Sequence, residues 1–345
     1  MSNNNQFKTA VVGLGYQSHE DHLPALKNIQ NIDLVAICDK DKDKLSAFKK
    51  ENKKIAVYNN IEKMLKKHQL DFAIVVLPHN EHYNVTKKLI SNKIHILKEK
   101  PFAVNLKEGV EIMKLAQKNK IQIMTTLQRR YNPIYTTFFQ LIDKIGTPFY
   151  IDIRYHFYVN NPHEGWRGIR QQAGGGCLID MGYHMIDLLV WYFGLPEKVF
   201  AEFSCNAVCN VKYDAEDTIS ILFKYIKCLW GTMLISRVVP PKEEYFYIYG
   251  THGIIKIKRG LIERLNSKGD VLESLTIQSS WPSAATDQIE YFLKVITGER
   301  KNITSPEFNF NHLAFIEACY RANNSNKYVN PHKLIKDVYE KQIGD

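Results

Sequence analysis

The first 125 residues alternate apolar segments with amphipathic segments, and this alternation limits the fold more than any other feature of the chain. Between the apolar segments, apolar residues recur at helical spacing and lysines occupy the opposite face. Such alternation predicts a parallel, doubly wound α/β sheet. The segments that we interpret as buried strands are KTAVVGLG, IDLVAICD, DFAIVVLP, IHILKEK and IQIMTTLQ.

The turn after the first predicted strand has the sequence GLGYQS, which places Gly13 and Gly15 directly before a predicted helix. In a dinucleotide-binding turn the first glycine permits the tight turn and the second admits the pyrophosphate. Ser18 stands where the pattern has a third glycine, and its small side chain still allows the helix to pack closely on the strand. Asp39 ends the second strand, where an acidic side chain accepts hydrogen bonds from the adenosine ribose. These residues predict a Rossmann dinucleotide site.

The charge of Asp39 favours NAD over NADP, because a carboxylate repels the phosphate that NADP carries on the same ribose. Lys40, Lys42 and Lys44 follow closely enough to reduce that repulsion, so NADP stays an alternative. A Rossmann-like domain that binds no nucleotide is the other alternative for this half of the chain.

Beyond Pro133 the pattern changes to successive strand-like segments with few helices between them, as an antiparallel sheet requires. These segments are PFYIDIRYHFYVN, KVFAEFSCNAVC, AEDTISILFKY, CLWGTMLISR, EYFYIYG and GIIKIKRG. We therefore predict a dinucleotide-binding domain over 1–125 and a second domain over 126–345. The tail contains two helical segments, ATDQIEYFLKVITGE and NHLAFIEACYRANNSN, which are long enough to pack on the second sheet or on the first domain. The predicted fold class is an α/β Rossmann domain followed by an α+β domain with a large, mainly antiparallel sheet.

Three consecutive glycines, Gly174 to Gly176, precede an apolar run that fits a mostly buried helix. Asp180 and His184 share one face of such a helix, and Asp187 would extend that face. We expect the glycines to let the start of this helix and a substrate approach each other closely. A helix start followed by an ordinary core histidine is the alternative interpretation.

The motifs GLGYQS, ILKEKPFAVN, QRRYNP, WRGIRQQAGGGCLIDMGYHMIDLL and FNFNHLAFIEACYRA, in this order, resemble those of one oxidoreductase family. It is the glucose-fructose oxidoreductase, inositol dehydrogenase and rhizopine-catabolism (Gfo/Idh/MocA) family of NAD(P)-dependent enzymes, and the resemblance covers nearly the whole chain. The most specific motifs are Glu99-Lys100-Pro101 and the pattern from Gly174 to His184. The sequence departs from the family pattern at Ser18 and at Leu77, where threonine is usual.

The resemblance also implies a chemistry. Oxidation of a secondary alcohol needs a hydride acceptor, a base for the hydroxyl proton and a cation near the oxygen. We expect the nicotinamide to be the acceptor, His184 to be the base and Lys100 to hold the oxygen. Asp180 would orient the imidazole ring, stabilise its protonated form or contact the substrate itself.

Two larger groups of residues are predicted to bind ligands, and the substrate expected from the resemblance is a sugar, a polyol or a sugar derivative. The expected cofactor-binding residues are Gly13, Gly15, Tyr16, Gln17, Asp39, Pro78, His82, Glu99 and Lys100. The expected substrate contacts, for which an interdomain or surface role is the alternative, are Arg130, His156, Trp166 and Arg167.

Three functions stay open at this point. The first is an NAD(P)-dependent oxidoreductase that transfers a hydride between a nicotinamide cofactor and a secondary alcohol or ketone. The second is an enzyme that uses tightly bound NAD for a net non-redox sugar reaction. The third is a regulatory protein that binds the cofactor without turnover, although Lys100, Asp180 and His184 argue against it.

Composition narrows the class of protein further. The net charge of +10 comes from dispersed lysines, which are typical of solvated helix faces and do not indicate nucleic-acid binding. The six cysteines lack metal-type pairing, and HEDH at 19–22 fits a cofactor helix better than a metal site, so we predict no metal and a reducing cytoplasm. No apolar run reaches the ~18 residues of a membrane span. From the family habit and the aromatic-rich strands we expect a homodimer or homotetramer.

Overall fold

A computed structural model of the protein describes residues 6–162, 164–208, 211–278 and 281–341. These residues form two compact units. The first unit holds 6–103, 111–128 and 281–309, and the second holds 104–110, 129–278 and 310–341. Both units are therefore built from separated stretches of the chain, whereas the division expected from the sequence has two continuous segments.

The α-helices, numbered in chain order, are α1 Leu23–Asn28, α2 Lys42–Glu51, α3 Ile61–Lys67, α4 His79–Ser91, α5 Leu106–Asn119, α6 Pro133–Thr136, α7 Phe138–Leu141, α8 Arg170–Ala173, α9 Tyr183–Phe193, α10 Trp281–Ile296, α11 Pro306–Ser325 and α12 Pro331–Lys341. Two π-helical turns, Ser18–His22 and Leu178–Gly182, directly precede α1 and α9. Such turns occur frequently at functional sites.

The first unit is built on a six-stranded parallel sheet. Its strands are β1 Phe7–Val12, β2 Ile32–Cys38, β3 Ala56–Tyr58, β4 Phe72–Val75, β5 His95–Lys98 and β6 Ile123–Thr125. Their order is β3-β2-β1-β4-β5-β6, so the order reverses between β1 and β4. This arrangement confirms the predicted Rossmann sheet. The apolar pattern did not predict β3, because this edge strand has only three residues and all are half-buried.

The first unit also contains a helix from near the end of the chain. Helix α10 packs on α1, and Phe292 of α10 meets Phe72 of β4 edge to face, with ring centroids 5.8 Å apart. Gln288 donates a hydrogen bond to the Thr125 carbonyl at the end of β6. Of the two places that the sequence left open for this helical tail, α10 therefore occupies the one on the first unit.

The second unit is built on an eight-stranded sheet with the order β14-β13-β12-β11-β7-β10-β9-β8. Its strands are β7 Pro148–His156, β8 Lys198–Ser204, β9 Thr218–Lys224, β10 Trp230–Ser236, β11 Glu243–Gly250, β12 Gly253–Lys258, β13 Leu261–Leu265 and β14 Val271–Thr276. Strands β7 and β10 pair in parallel and the other described pairs are antiparallel. The large, mainly antiparallel sheet is therefore confirmed.

The two faces of this sheet differ in burial. One face is mostly buried and is lined by alternating apolar residues such as Ile151, Ile153 and Ile235. The opposite face, which we call the outer face, carries half-buried aromatic residues. On it, Tyr245 and Tyr247 stack with ring centroids 4.2 Å apart, and the Tyr245 hydroxyl donates to Asp152 over 2.9 Å.

A buried ion pair fixes helix α9 within the second unit. Arg130 donates to Asp187 through Nε at 3.0 Å and through Nη2 at 2.6 Å, and the side chains of both residues are 1% exposed. The guanidinium also lies 5.1 Å from the ring of Trp191, and His312 Nε2 lies 3.3 Å from Asp187. Burial by itself raises the pKa of Asp187, but Arg130 and His312 bring it down to about 2. Asp187 is therefore ionised and held in the core.

We predict that Asp187→Asn lowers the free energy of unfolding by about 3 kcal/mol, because it leaves the Arg130 charge buried without a counter-charge. Urea denaturation followed by circular dichroism measures the loss. Since the pKa of Asp187 is depressed, its contribution should be present above the usual aspartate range and should disappear as the pH falls through about 2.

The matched control is Glu317→Gln, which breaks the exposed pair of Glu317 with Arg321 in the same unit. This exposed pair should contribute less than about 1 kcal/mol. Equal losses in both variants would mean that the Arg130–Asp187 pair does not hold α9.

Candidate functional site

The two glycines of the first turn have different surroundings. Gly13 has φ +107°, and a Cβ there would lie 1.9 Å from the carbonyl oxygen of Val76. The fold itself therefore requires glycine at this position. At Gly15, by contrast, a Cβ would meet nothing within 4 Å. The space beside Gly15 is open, as close approach of a ligand to the backbone requires.

Ser18, which replaces the third glycine, closes the same turn. Its hydroxyl is buried and donates to the Gly13 carbonyl over 2.6 Å, and its backbone N–H donates to Gly15. The serine therefore adds a hydrogen bond where a glycine has none. The adjacent Tyr16 is 78% exposed, and Gln17 is held by a hydrogen bond to Asp21 within the π-helical turn.

Asp39 lies beside this turn at the end of β2. One carboxylate oxygen accepts from the Leu14 N–H at 2.6 Å and the other accepts from the Asp41 N–H at 2.8 Å. The carboxylate also lines a cleft of about 460 Å³ on the first unit, which we call the Asp39 cleft. An acidic group in a cleft beside an open glycine turn fits the ribose of a dinucleotide.

The loop after β4 carries Pro78 and His82. Pro78 caps α4, and His82 is buried with Nε2 2.8 Å from the Leu77 carbonyl oxygen. Because a carbonyl only accepts, Nε2 carries the proton. Burial, followed by the charge of Lys98, holds the pKa of His82 well below its ordinary value, so the ring is neutral.

Buried polar contacts hold the chain around Glu99 and Lys100, directly after β5. His22 Nε2 lies 2.8 Å from Glu99 Oε1, and both side chains are almost fully buried. Burial by itself raises the pKa of Glu99, but the hydrogen bond and charge of His22 leave it below the usual value. Lys98 is fully buried and donates to the Phe102 carbonyl over 2.6 Å. Lys100 itself is half-buried.

The first unit thus brings the predicted cofactor residues to the carboxyl ends of β1, β2, β4 and β5, on both sides of the point where strand order reverses. Open α/β sheets bind their ligands at such a point. The contact between His22 and Glu99 also connects the π-helical turn Ser18–His22 to the Glu99-Lys100-Pro101 motif. His22 was missed as a partner of Glu99 because the two are 77 residues apart.

In the second unit, a buried segment leaves two polar side chains partly accessible. From Gly175 to Val190, every residue is buried except Asp180 and His184, which are half-buried. Asp180 lies in the π-helical turn and His184 in the first turn of α9. Asp187, in contrast, is buried in the pair with Arg130, so the expected extension of the face to Asp187 was wrong. Asp180 and His184, which are four residues apart, are thus the two half-buried residues of this segment.

Arg167 belongs to this group. Its Nε donates to Asp180 Oδ2 over 3.1 Å, and its guanidinium lies 4.4 Å from the ring centroid of Trp166. Trp166 and Arg167 lie in a short 3₁₀ turn, Gly165–Gly168. The Arg167 carbonyl accepts a hydrogen bond from Arg237 Nη1 at 3.2 Å, which holds this turn in place. Arg167 and Trp166 therefore lie beside Asp180.

The three glycines before this segment make room for the protein itself. A Cβ at Gly174 would lie 2.6 Å from Val104, one at Gly175 1.9 Å from the Tyr320 hydroxyl, and one at Gly176 2.0 Å from the Glu216 carbonyl oxygen. These contacts with the protein explain the three glycines, and the expected approach of a substrate to them stays a prediction. The glycines let the chain pack against Glu216, whose carboxylate accepts from the Leu178 N–H and the Tyr320 hydroxyl.

Arg130 and His156 occupy interior positions of the second unit. Arg130 is committed to Asp187, as described above. His156 is buried, with Nδ1 3.1 Å from the Val239 carbonyl oxygen and Nε2 3.3 Å from Glu243. Their geometry favours structural roles over contact with a substrate. Lys100 belongs to the first unit, whereas Asp180 and His184 belong to the second.

Within the described ranges, no group of three acidic, histidine or cysteine side chains is arranged to hold a metal ion. None of the described helices has the length and hydropathy needed to span a membrane.

The fold and the glycine turn define the class of protein: a Rossmann protein of the dinucleotide-binding type. Residues 7–127 match the model of the oxidoreductase family with an NAD-binding Rossmann fold, and residues 137–256 match the model of the C-terminal domain of the same family. Together these models cover more than half of the chain. The chain belongs to the Gfo/Idh/MocA family of oxidoreductases.

Relatives and solved structures agree with this membership. The chain is 27% identical over 208 residues to an uncharacterized oxidoreductase of Synechocystis, covering 59% of this chain and 56% of that protein. It is 22% identical over 322 residues to scyllo-inositol 2-dehydrogenase (NADP(+)) of Bacillus subtilis, covering 89% and 84%. The WlbA dehydrogenase of Bordetella pertussis, solved with NADH and UDP-GlcNAcA, superposes with a TM-score of 0.80 at 18% identity, covering 94% and 98%.

The alignments to several of the curated relatives are partial. Four of them are matched over only 52% to 60% of their own length. The similarity therefore establishes the family and the fold of this chain, and its reaction is a separate question.

The contrast between the two glycines of the first turn makes a prediction. Gly13→Ala should lower the free energy of unfolding by about 2 kcal/mol or more, because the new methyl group would collide with the Val76 carbonyl at positive φ. Gly15→Ala should change it by less than about 0.5 kcal/mol. The same Gly15→Ala variant should lose at least about tenfold in NAD(H) affinity, or about 1.4 kcal/mol, in calorimetric titration.

Full NAD(H) affinity in Gly15→Ala would exclude a cofactor that lies against this turn. A stable Gly13→Ala variant would contradict the packing described for Val76.

Proposed function

We propose that the protein is an NAD(P)-dependent oxidoreductase that transfers a hydride between a nicotinamide cofactor and a secondary alcohol or ketone of a sugar, polyol or sugar derivative. The observation that carries this proposal is the isolation of Asp180 and His184 as the half-buried polar residues of an otherwise buried segment. Membership in an oxidoreductase family with an NAD-binding Rossmann fold supplies the other half of the argument.

In the proposed reaction the bound nicotinamide supplies the hydride acceptor. His184 takes the proton from the substrate hydroxyl, as a positioned imidazole does near neutral pH. Lys100 holds the reacting oxygen as its negative charge develops, because an ammonium is a compact cation that donates hydrogen bonds. Asp180, itself paired with Arg167, orients the ring of His184 or contacts the substrate.

The cofactor would lie along the carboxyl edge of the first sheet. Gly13 and Gly15 would receive the pyrophosphate and Asp39 the adenosine ribose, with Tyr16, Gln17, Pro78, His82, Glu99 and Lys100 around them. This assignment is supported by the open space at Gly15 and by the position of Asp39 in the cleft beside it. The two functional segments would be 1–125 for the cofactor and 126–345 for the substrate and oligomer contacts, and the ranges of the two family models support this division.

A sugar-like substrate is supported by relatives whose names include scyllo-inositol 2-dehydrogenase and by solved structures that contain UDP-GlcNAcA or levoglucosan. Trp166 and Arg167 are the substrate contacts that we carry forward, because they lie beside Asp180. A guanidinium at this place suits a carboxylate or phosphate group.

A second candidate function uses the same residues without net oxidation. If NAD stays bound and the hydride returns to the product, the protein would catalyse a non-redox change of a sugar through a transient ketone. Retention of NAD through purification, with turnover but no accumulation of NADH, would favour this reaction. A regulatory protein that only binds the cofactor would show neither turnover of a substrate nor hydride transfer to NAD.

The cytoplasm remains the proposed location. The described cysteines, Cys38, Cys177, Cys205, Cys228 and Cys319, are all free thiols, as a reducing compartment favours. Cys209 lies outside the described residues.

The proposed assembly is a homodimer or homotetramer that buries the outer face of the large sheet. Tyr150, Tyr247 and Trp230 are partly accessible on this face, and an aromatic surface of this kind is a liability in a monomer. Light scattering should therefore give twice or four times the protomer mass of 40.0 kDa. Tyr247→Glu should shift the mass toward the monomer, whereas the control Tyr291→Glu, at a half-buried tyrosine of α10 in the first unit, should not. A wild-type particle of one protomer would contradict this assembly.

The catalytic proposal is tested on a panel of sugars and polyols by following NADH absorbance. His184→Ala should lower kcat by about 10²- to 10⁴-fold, as the loss of a positioned base does, with little change in NAD(H) affinity. Lys100→Met should be at least as damaging, because it keeps the bulk and removes the charge at the oxygen. Asp180→Asn should retain more activity than His184→Ala if Asp180 only orients the ring.

The matched control is His156→Gln, which changes a buried histidine of the second unit that has structural partners. Its kcat should stay within a few-fold of wild type in correctly folded protein. Wild-type rates in the Lys100, Asp180 and His184 variants would place the site elsewhere.

A further inference from the structure

The Asp39 cleft contains more charge than the binding of a ribose requires. Five of its lining residues carry a charge at neutral pH: Asp39, Lys40, Glu62, Glu81 and Lys88. The other lining residues are uncharged at neutral pH and include Asn59 and Asn60. Taken together, the three carboxylates and two lysines leave this cleft with one net negative charge.

Both lysines of the cleft are already paired. Lys40 Nζ lies 2.9 Å from Glu81 Oε2, and Lys88 forms an ion pair with Glu62. The Lys40 side chain is 78% exposed, whereas that of Glu81 is only 28% exposed, so the lysine is paired with a more buried carboxylate of α4. None of the described ion pairs joins Asp39 to a lysine. Its carboxylate instead accepts hydrogen bonds from the backbone N–H groups of Leu14 and Asp41.

Lys40 is the lysine that matters for the choice between NAD and NADP. It directly follows Asp39, and among the three lysines after Asp39 it is the one that lines the cleft. Lys44 is paired with Asp41, at 3.7 Å, and lines a different groove. A phosphate on the ribose held by Asp39 would therefore depend on Lys40 for a counter-charge.

We propose that Glu81 is a cofactor-specificity residue: by holding Lys40, it withholds the cation that a ribose phosphate would need and so favours NAD over NADP. Asp39 repels the phosphate directly, and Glu81 removes the compensation that the neighbouring lysine would otherwise provide. This inference rests on the proposed cofactor site, and it assigns the preference to a residue on α4 as well as to the end of β2.

The test is calorimetric titration of NAD(H) and NADP(H) into wild type and Glu81→Gln at low ionic strength. NADP(H) affinity should rise about 5-fold in the variant, as expected for freeing one exposed cation, and NAD(H) affinity should change much less. Because Lys40 is exposed, the gain should shrink at 0.5 M salt. The double variant Lys40→Met/Glu81→Gln should lose the gain.

Glu62→Gln is the matched control, since it removes the same charge from the same cleft but frees Lys88. Its gain in NADP(H) affinity should be clearly smaller. Equal gains in Glu62→Gln and Glu81→Gln, a gain that survives in the double variant, or no gain at all would each overturn the proposal. Failure of the cofactor site itself has a separate signature, because wild type would then bind neither dinucleotide.

Discussion

The approach of Gly13 to the Val76 carbonyl is the constraint on which the first unit depends. It brings the turn after β1 against the end of β4, at the point where the strand order reverses. Ser18 locks this turn through its bond to the Gly13 carbonyl, and the π-helical turn that follows carries His22 to Glu99 at the end of β5. One tight backbone contact therefore starts a chain of buried contacts that ends beside Lys100.

The second unit uses buried charge in a comparable way. The Arg130–Asp187 pair fixes α9 from the inside, and Glu216 holds the start of the π-helical turn through the Leu178 N–H. With both ends of this segment fixed, Asp180 and His184 are the polar residues left partly accessible. The free energy cost of burying Arg130 and Asp187 is offset only because they pair closely, so the site depends on groups that do not touch a ligand.

The fold could be predicted to a large extent, because long apolar runs and helical periodicity are strong signals. The strand β3 and the strands β13 and β14 were missed, since they are short or mix charged residues with apolar ones, as LIERL and VLESLT do. The position of α10 could not be predicted, because an amphipathic helix does not specify its partner. At the site, spacing predicted the accessible face of Asp180 and His184. It could not reveal the pair of His22 with Glu99 or the partners of the three glycines, because these contacts join residues far apart in the chain.

The central claim is that this protein transfers hydride between a sugar-like alcohol and a nicotinamide dinucleotide. The most direct measurement is mass spectrometry of the dinucleotide recovered after incubation of wild-type protein and NAD with a panel of carbon-deuterated sugars and polyols. The readout reports net oxidation, in which the deuterium stays on the reduced dinucleotide, because a cofactor recycled in place returns the deuterium to the product. We expect one deuterium in the dinucleotide with at least one member of the panel, and none with His184→Ala. A dinucleotide that binds to the protein but stays free of label across the panel would contradict the account.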